Sequence, residues 1–567
     1  MTPSTRAPEG SLRASAIATA SYLGLAIAMS WPLVTVMTTS VAGDLGDPLL
    51  VIWIMTSVSR GLTGVVSGHW SAFAEMWNAN IFYPEPNTLA YSEHFAGQAL
   101  LSLPVWWTTN NPILIYNVAV VASFVLTGLG TFLLTRAFTG GFLAPLAAGM
   151  FASFNTYRLG LELSHLHVLT IQWFPLALVA VHRYIERGTW RWLAAVIGGV
   201  VLMNLSSGYF MLYAAPLIAL FALFDMAIQQ RLRDLERWLG FAVAVPAIAL
   251  LTAPFILPYL DMQRRTGFLR PMQDVIAHSA RFEQYAAFVL PWAQVPLALA
   301  LVAMAAAFVR RSAVPRLYVA AIAAVLATAF VLSLGPFIQP WGIPGPYLLL
   351  YKYVPGFTGL RVVNRYGALV LIVLPVLAGF GAATVVRWRR VGPAMIGVAM
   401  AIFLWQVWPP RFVIDAPLPS AELEPTPSYL APAPVLPGIY REVETLPSDA
   451  VLLELPFGDY WYDLRYMFFS AMHGRRLMNG YSGIFPPSYL ARQRVLAKPL
   501  LDPERAAQAL TGATHVIVHR GAWRDGTGTK IAGWLESIGA HIVTGSGDAL
   551  LYQVATSERL AHGDTAR

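Results

Sequence analysis

The chain has 567 residues, of which 56% are hydrophobic and only 12% charged. A soluble chain of this size carries about 25% charge, so the composition excludes an ordinary soluble enzyme and leaves a multi-pass membrane protein. The net charge of +8 comes from Arg residues at helix ends rather than from a basic patch, which argues against nucleic acid, and the absence of cysteine excludes disulfides, thiolate nucleophiles and Cys-ligated metals.

A membrane span needs about 20 apolar residues. Eleven stretches read as spans, at roughly 14–37, 112–134, 142–157, 167–182, 192–206, 209–228, 239–258, 285–309, 317–334, 367–386 and 393–408. The third and fifth are short for a full crossing. The stretch from Ala14 to Met37 lacks a small-residue cleavage site and reads as a retained first span. Every second loop carries Arg: Arg6/Arg13, then Arg136, Arg183/Arg187/Arg191, Arg231/Arg233/Arg237, Arg310/Arg311/Arg316 and Arg387/Arg389/Arg390. Cytoplasmic loops retain Lys and Arg, so the N-terminus is expected inside and the C-terminus outside.

The loops on the outer side hold most of the chemistry. The first, about 38–111, contains an apolar stretch at 49–66 that would invert every later Arg loop if it crossed, so it is read as an interfacial helix. The second is 259–284 and the third 335–366. After the membrane domain (1–408), a Pro-rich linker (409–437) leads to a more polar region, 438–567. There AVLLELP and THVIVH read as strands, and DPERAAQAL, IAGWLESI and Tyr462 to Ser470 read as helices. The expected architecture is an all-α polytopic domain followed by a small extracytoplasmic α/β domain.

Four constellations are candidates for chemistry. Asp44 and Asp47, in GDLGDP directly after the first span, suit a general base, with a divalent metal as a possible companion. Partial withdrawal from water makes a carboxylate a stronger base. The alternative for Asp47 is helix capping ahead of Pro48. Glu93 and His94 form a second acid/base candidate, with Asn80 and Tyr83 upstream shaping a cleft. The alternative there is a helix capped at Ser92. Arg158, Glu162 and His165 share one face of an α-helix, so Arg158 is positioned to pair with Glu162. His165 and His167 lie on different faces with no third ligand at a clear spacing. Arg361 and Arg365, in LRVVNRYG, break the Arg pattern by lying outside; one helical turn apart beside the bilayer, they form a phosphate clamp or snorkel to headgroups. Arg264, Arg265 and Arg270 read as solvated surface. The segment HGRRLMNGYSG (473–483) suits contact with sugars or lipid headgroups, or an ordinary domain-to-membrane contact.

The motifs GDLGDP, IFYPEPNTLAYSEH, NPILIYN, the Arg158–His167 turn and FTGLRVVNRYG together resemble the GT-C superfamily of membrane glycosyltransferases, which includes protein O-mannosyltransferases and the aminoarabinose transferase of lipid A. The similarity covers most of residues 20–400 and is nearest to predicted bacterial members. It implies a polyprenyl-phosphate sugar donor, a glycan, lipid or protein acceptor, and an inverting displacement at the outer face of the bacterial cytoplasmic membrane. Asp44 is then implied as the base with Asp47 beside it, Arg361 and Arg365 as the phosphate-binding residues, and Glu93 and His94 as lining the acceptor side. Relatives carry adjacent acids or Asp-x-Asp, whereas two residues separate the pair here, which leaves the identity of the base and any metal open. The competing readings are a lipid or solute transporter, which predicts ionisable groups deep in the membrane, and a non-catalytic envelope-assembly protein.

Overall fold

A computed structural model describes residues 9–420, 422–427, 430, 436 and 438–554; part of the Pro-rich linker lies outside them. Among the described residues, nine helices are long and apolar enough to cross a membrane. The chain is a multi-pass membrane protein. Eight of the nine coincide with expected spans. Three expected spans are shorter helices: Leu143–Ser153 has 11 residues, and Trp190–Ser206 and Val391–Val407 have 17 each. At about 1.5 Å per residue, an 11-residue helix extends only about 16 Å, so its apolar composition reflects burial in protein. The ninth long helix is Asp47–Val66, expected as interfacial.

The chain divides into two compact units. The first comprises 1–34, 119–256 and 267–412. At its centre is the helix Tyr366–Val386, apolar on all sides and buried along nearly its whole length, as expected for a helix with no polar stripe. It packs against Leu290–Phe308, Arg316–Ser333 and Leu143–Ser153. Small residues permit close approach, the usual means of helix association in lipid. A Cβ on Gly381 would strike the backbone of Leu299, and one on Gly379 would strike Thr135.

The second unit comprises 35–118, 257–266 and 413–567, so the long first loop belongs with the C-terminal region. Its five-stranded sheet has the order 476–477, 451–455, 515–519, 549–553, 541–546. The first three strands are parallel, and 549–553 is antiparallel to both neighbours. The expected strands and helices of this region are all present. Helix Tyr460–His473 starts at Asp459, whose carboxylate accepts from the N–H groups of Trp461 and Tyr462, and stops at Gly474 in the left-handed region. Helix Asp47–Val66 packs on Tyr460–His473 and buries twelve of its own residues. Its apolarity is therefore largely accounted for by protein contact.

The first loop is joined to the sheet by backbone bonds. Leu477 N–H donates to Asn80 O, and the N–H groups of Tyr83 and Phe82 donate to Leu477 O and Asn479 O. The Asn80 side chain locks the junction, accepting from Trp53 Nε1 and donating to Ser470 O and Arg475 O at 2.8–3.0 Å. The segment 473–483 is thus the contact between loop and domain.

Candidate functional site

In the second unit, Asp44 and Asp47 are carried on a segment fixed from two sides. Residues 41–45 pair with 413–416: Gly43 N–H donates to Val413 O and Leu45 N–H to Ala416 O, both at 2.9 Å. From the other side, the motif NPILIYN holds residues 37–42. Asn117 Oδ1 accepts from Ala42 N–H, and its Nδ2 donates to Met37 O and Ser40 O at 2.9 and 2.7 Å. Asn111 donates to Thr38 O, and the Tyr116 hydroxyl donates to Ala42 O.

The capping expectation is corrected here. The N-cap is Gly46, which has no side chain to cap with, and Asp47 is the first residue of the helix. There its charge meets the positive end of the helix dipole. It is Asp44 whose Oδ1 accepts a local bond, from Gly46 N–H at 2.9 Å. Both carboxylates are half-buried. Among the described residues no three His, Asp or Glu side chains gather as a ligand set. A divalent ion would have only Asp44 and Asp47 from the protein and would need water and substrate for the rest of its shell, as Mg²⁺ commonly does. Its contribution would be neutralisation of phosphate charge.

Glu93 and His94 do not open a helix capped at Ser92; the helix begins at Ala96. His94 is buried, edge-on to Trp77 and tilted against Tyr259. Burial lowers its pKa to about 4, so it is neutral at neutral pH. Its Nδ1 accepts from Ala96 N–H at 3.1 Å, which occupies one lone pair of the ring. Tyr83 lies under the guanidinium of Arg476, 5.2 Å from the ring centre.

In the first unit, the expected α-helical face at 158–165 is a π-turn, Tyr157–Leu161. The wider turn separates Arg158 from Glu162. Arg158 is 3% exposed and donates to Ser153 O, Leu169 O and Ser123 O at 2.9–3.1 Å, above the ring of Phe124. Burial lowers its pKa to about 9, leaving it charged at neutral pH. It joins three chain segments and has little capacity left for a ligand. Glu162 instead lies 3.0 Å from His165 Nδ1 and also takes a bond from the Tyr157 hydroxyl.

Around Tyr209 a cationic group assembles. The Arg365 guanidinium lies 4.3 Å over the Tyr209 ring, and His167 stacks on the same residue. Arg270, expected as solvated surface, is half-buried beside Arg361. Burial and then the Arg361 charge lower its pKa, partly offset by Tyr209 and Asp274. Its backbone is tied to the preceding loop of the clamp, by N–H to Thr358 O and by its carbonyl accepting from Tyr351. That loop turns at Gly356, φ +93°. Arg361 Nε is buried without a hydrogen-bond partner among the described residues. Three guanidinium groups with one orphaned donor form an arrangement suited to a multiply charged oxyanion. Arg270 and Tyr209 could not be found from sequence, since neither falls in a spacing pattern with Arg361.

The sequence matches no family model and no curated protein. The structure is similar to arabinofuranosyltransferase AftD from Mycobacteria, with TM-score 0.58 and 14% identity. The match covers 96% of this chain but 40% of AftD, so the chain spans less than half of that protein. Weaker similarity extends to the Archaeoglobus fulgidus oligosaccharyltransferase AglB bound to an inhibitory peptide and a dolichol-phosphate (TM-score 0.47, 13% identity, 91% of this chain and 70% of AglB). ArnT from Cupriavidus metallidurans also matches (TM-score 0.40, 12% identity, 94% and 97%). These neighbours are GT-C glycosyltransferases. The chain shares the fold of AftD along nearly its whole length.

Proposed function

We propose that the chain is a membrane glycosyltransferase that moves a sugar from a polyprenyl-phosphate donor to an acceptor hydroxyl, with inversion, at the outer face of the bacterial cytoplasmic membrane. The observation that carries this reading is the cationic group of Arg270, Arg361 and Arg365 around Tyr209, with Arg361 Nε unpartnered, on a fold similar to an arabinofuranosyltransferase.

In this reading Asp44 takes the proton of the acceptor hydroxyl. The freed oxygen attacks the anomeric carbon as the bond from that carbon to the donor phosphate breaks. Charge grows on the departing phosphate and is met by Arg361 and Arg365, aided by Arg270. Groups already oriented toward developing charge lower the barrier without reorganising. A lipid phosphate is a good leaving group, so no strong acid is needed at that end. Asp47 shares the base's surroundings, Glu93 lines the acceptor side, and His94 holds the turn that carries Glu93.

The transporter reading draws on the buried Asp225. Its carboxylate, however, is held by His182 Nδ1, the Tyr318 hydroxyl and Gln229 Nε2, all at 2.8–2.9 Å. A fully bonded network of this kind favours a structural role over an ion path. The test of the transferase reading is sugar transfer by the purified chain from polyprenyl-phosphate donors, wild type against Asp44→Asn. Transfer by the wild type and its loss in the variant support it; equal transfer in both removes Asp44 as base.

A further inference from the structure

The C-terminal α/β region contains a cavity of about 410 Å³ that plays no part in the reaction above. Its size falls within the usual range for small-molecule sites, roughly 300–1,000 Å³. The walls include Tyr440, Tyr462, Tyr466, Arg465, His519 and Asp548. Below the Tyr440 and His519 side chains lies Glu454, wholly buried, whose Oε2 accepts from the Tyr440 hydroxyl and from His519 Nε2 at 2.8 Å each.

Two polar atoms here lack partners among the described residues. Tyr466 is 1% exposed and its hydroxyl makes no hydrogen bond; Glu454 Oε1, with its residue fully buried, makes none either. Buried polar groups are nearly always bonded, so each exception calls for an explanation. Tyr466 is a wall residue of the cavity, and Glu454 stands behind the wall, bonded to the wall residues Tyr440 and His519.

We propose that this cavity binds a neutral saccharide ring, in a site separate from the residues assigned to transfer. The chemistry of the walls selects that class. Tyrosine rings and Phe469 offer apolar faces to the C–H face of a sugar. Asp548 accepts from sugar hydroxyls, and Arg465 and the Tyr466 hydroxyl donate to them. An anionic ligand would meet the carboxylates of Glu424 and Asp548. A cationic one would meet Arg465, whose guanidinium already lies over the Phe469 ring at 5.2 Å. A ring bearing several hydroxyls and no charge satisfies both donors and acceptors.

The test is equilibrium binding to the full chain in detergent, without turnover, by saturation-transfer NMR and titration. The probes are methyl α-D-mannopyranoside, methyl β-D-glucopyranoside and methyl α-D-arabinofuranoside. Saturable binding of at least one is expected, weakened about tenfold by Tyr466→Phe, which removes one hydrogen bond, and unchanged by Arg361→Ala. Tyr466→Phe keeps the ring and its packing, and an unchanged melting temperature shows that the fold is intact. Tyr462→Ala, which enlarges the cavity, is expected to weaken binding as well. Binding by none of the three, binding unaffected by both cavity variants, or binding lost in Arg361→Ala overturns the proposal. None of these results depends on whether the chain transfers sugar.

Discussion

The guanidinium of Arg365 lies 4.3 Å from the centre of the Tyr209 ring and over its face. The ring holds the guanidinium through its face and contributes no formal charge of its own. A cation over an aromatic face is stabilised by about 0.5–2 kcal/mol, enough to orient it but too little to neutralise it.

Arg361→Ala and Arg365→Ala should each raise the KM for a polyprenyl-phosphate donor by roughly 10–100-fold, the loss expected for a hydrogen bond to a charged group. The acceptor KM should change little. Tyr209→Phe retains the ring face and should leave donor KM unchanged, whereas Tyr209→Leu should raise it several-fold. Steady-state kinetics in both substrates checks these outcomes, and equal effects on donor and acceptor would contradict the assigned role.

Asn117→Ala removes three hydrogen bonds to the segment that carries Asp44. At about 1 kcal/mol each, the loss should lower stability by roughly 3 kcal/mol, read as a fall in melting temperature. Turnover should fall too, because the backbone before Asp44 then keeps only the Asn111 and Tyr116 bonds and its pairing with 413–416. A variant with unaltered stability would show that the Asn117 contacts are not what fixes this segment.

His94 is held neutral by burial, with its pKa lowered to about 4, and it accepts from Ala96 N–H. His94→Gln preserves an acceptor and should keep turnover within a few-fold, with the same pH–rate profile above about pH 5. Loss of one limb of the profile in this variant would instead make His94 an acid or base in the reaction.

Asp463 is wholly buried, accepting from Asn479 Nδ2 and lying 2.5 Å from the Tyr489 hydroxyl. Burial raises its pKa to about 8, against the bonds from Tyr489 and Asn479, which lower it. The folded chain therefore keeps a proton that the unfolded chain releases above about pH 4. Its contribution to stability is complete below that pH and is lost as pH rises through about 8. The C-terminal region should melt at lower temperature as pH is raised from about 5 to 8. Asp463→Asn, which cannot ionise, should flatten that dependence, and an equally steep dependence in the variant would exclude Asp463 as its source.

Much of the architecture was legible in the residues because membrane helices need long apolar runs, and β-branched stretches such as VIV at 516–518 need strands. Composition could not separate a membrane crossing from burial in protein. That is why Leu143–Ser153 read as a span, while Asp47–Val66, read as interfacial from the Arg pattern, is long, apolar and packed on Tyr460–His473. The pairing of Asn80 with Leu477 joins positions almost 400 apart and leaves no local signature. At the candidate site, Arg361 and Arg365 stood out by breaking the Arg pattern. Arg270 did not, since its neighbours Arg264 and Arg265 are ordinary polar-segment cations and Arg265 pairs with Asp261. The 158–165 segment misled for a different reason: the face argument assumed 3.6 residues per turn, and a π-turn shifts every side chain after Tyr157.

The most direct measurement is a single-particle map of the Asp44→Asn chain with a polyprenyl-phosphate sugar bound. Phosphate density against Arg361 and Arg365, beside Tyr209, is the expected result. Phosphate bound elsewhere, with Arg361 Nε still unpartnered, would contradict the assignment of this cationic group to the donor.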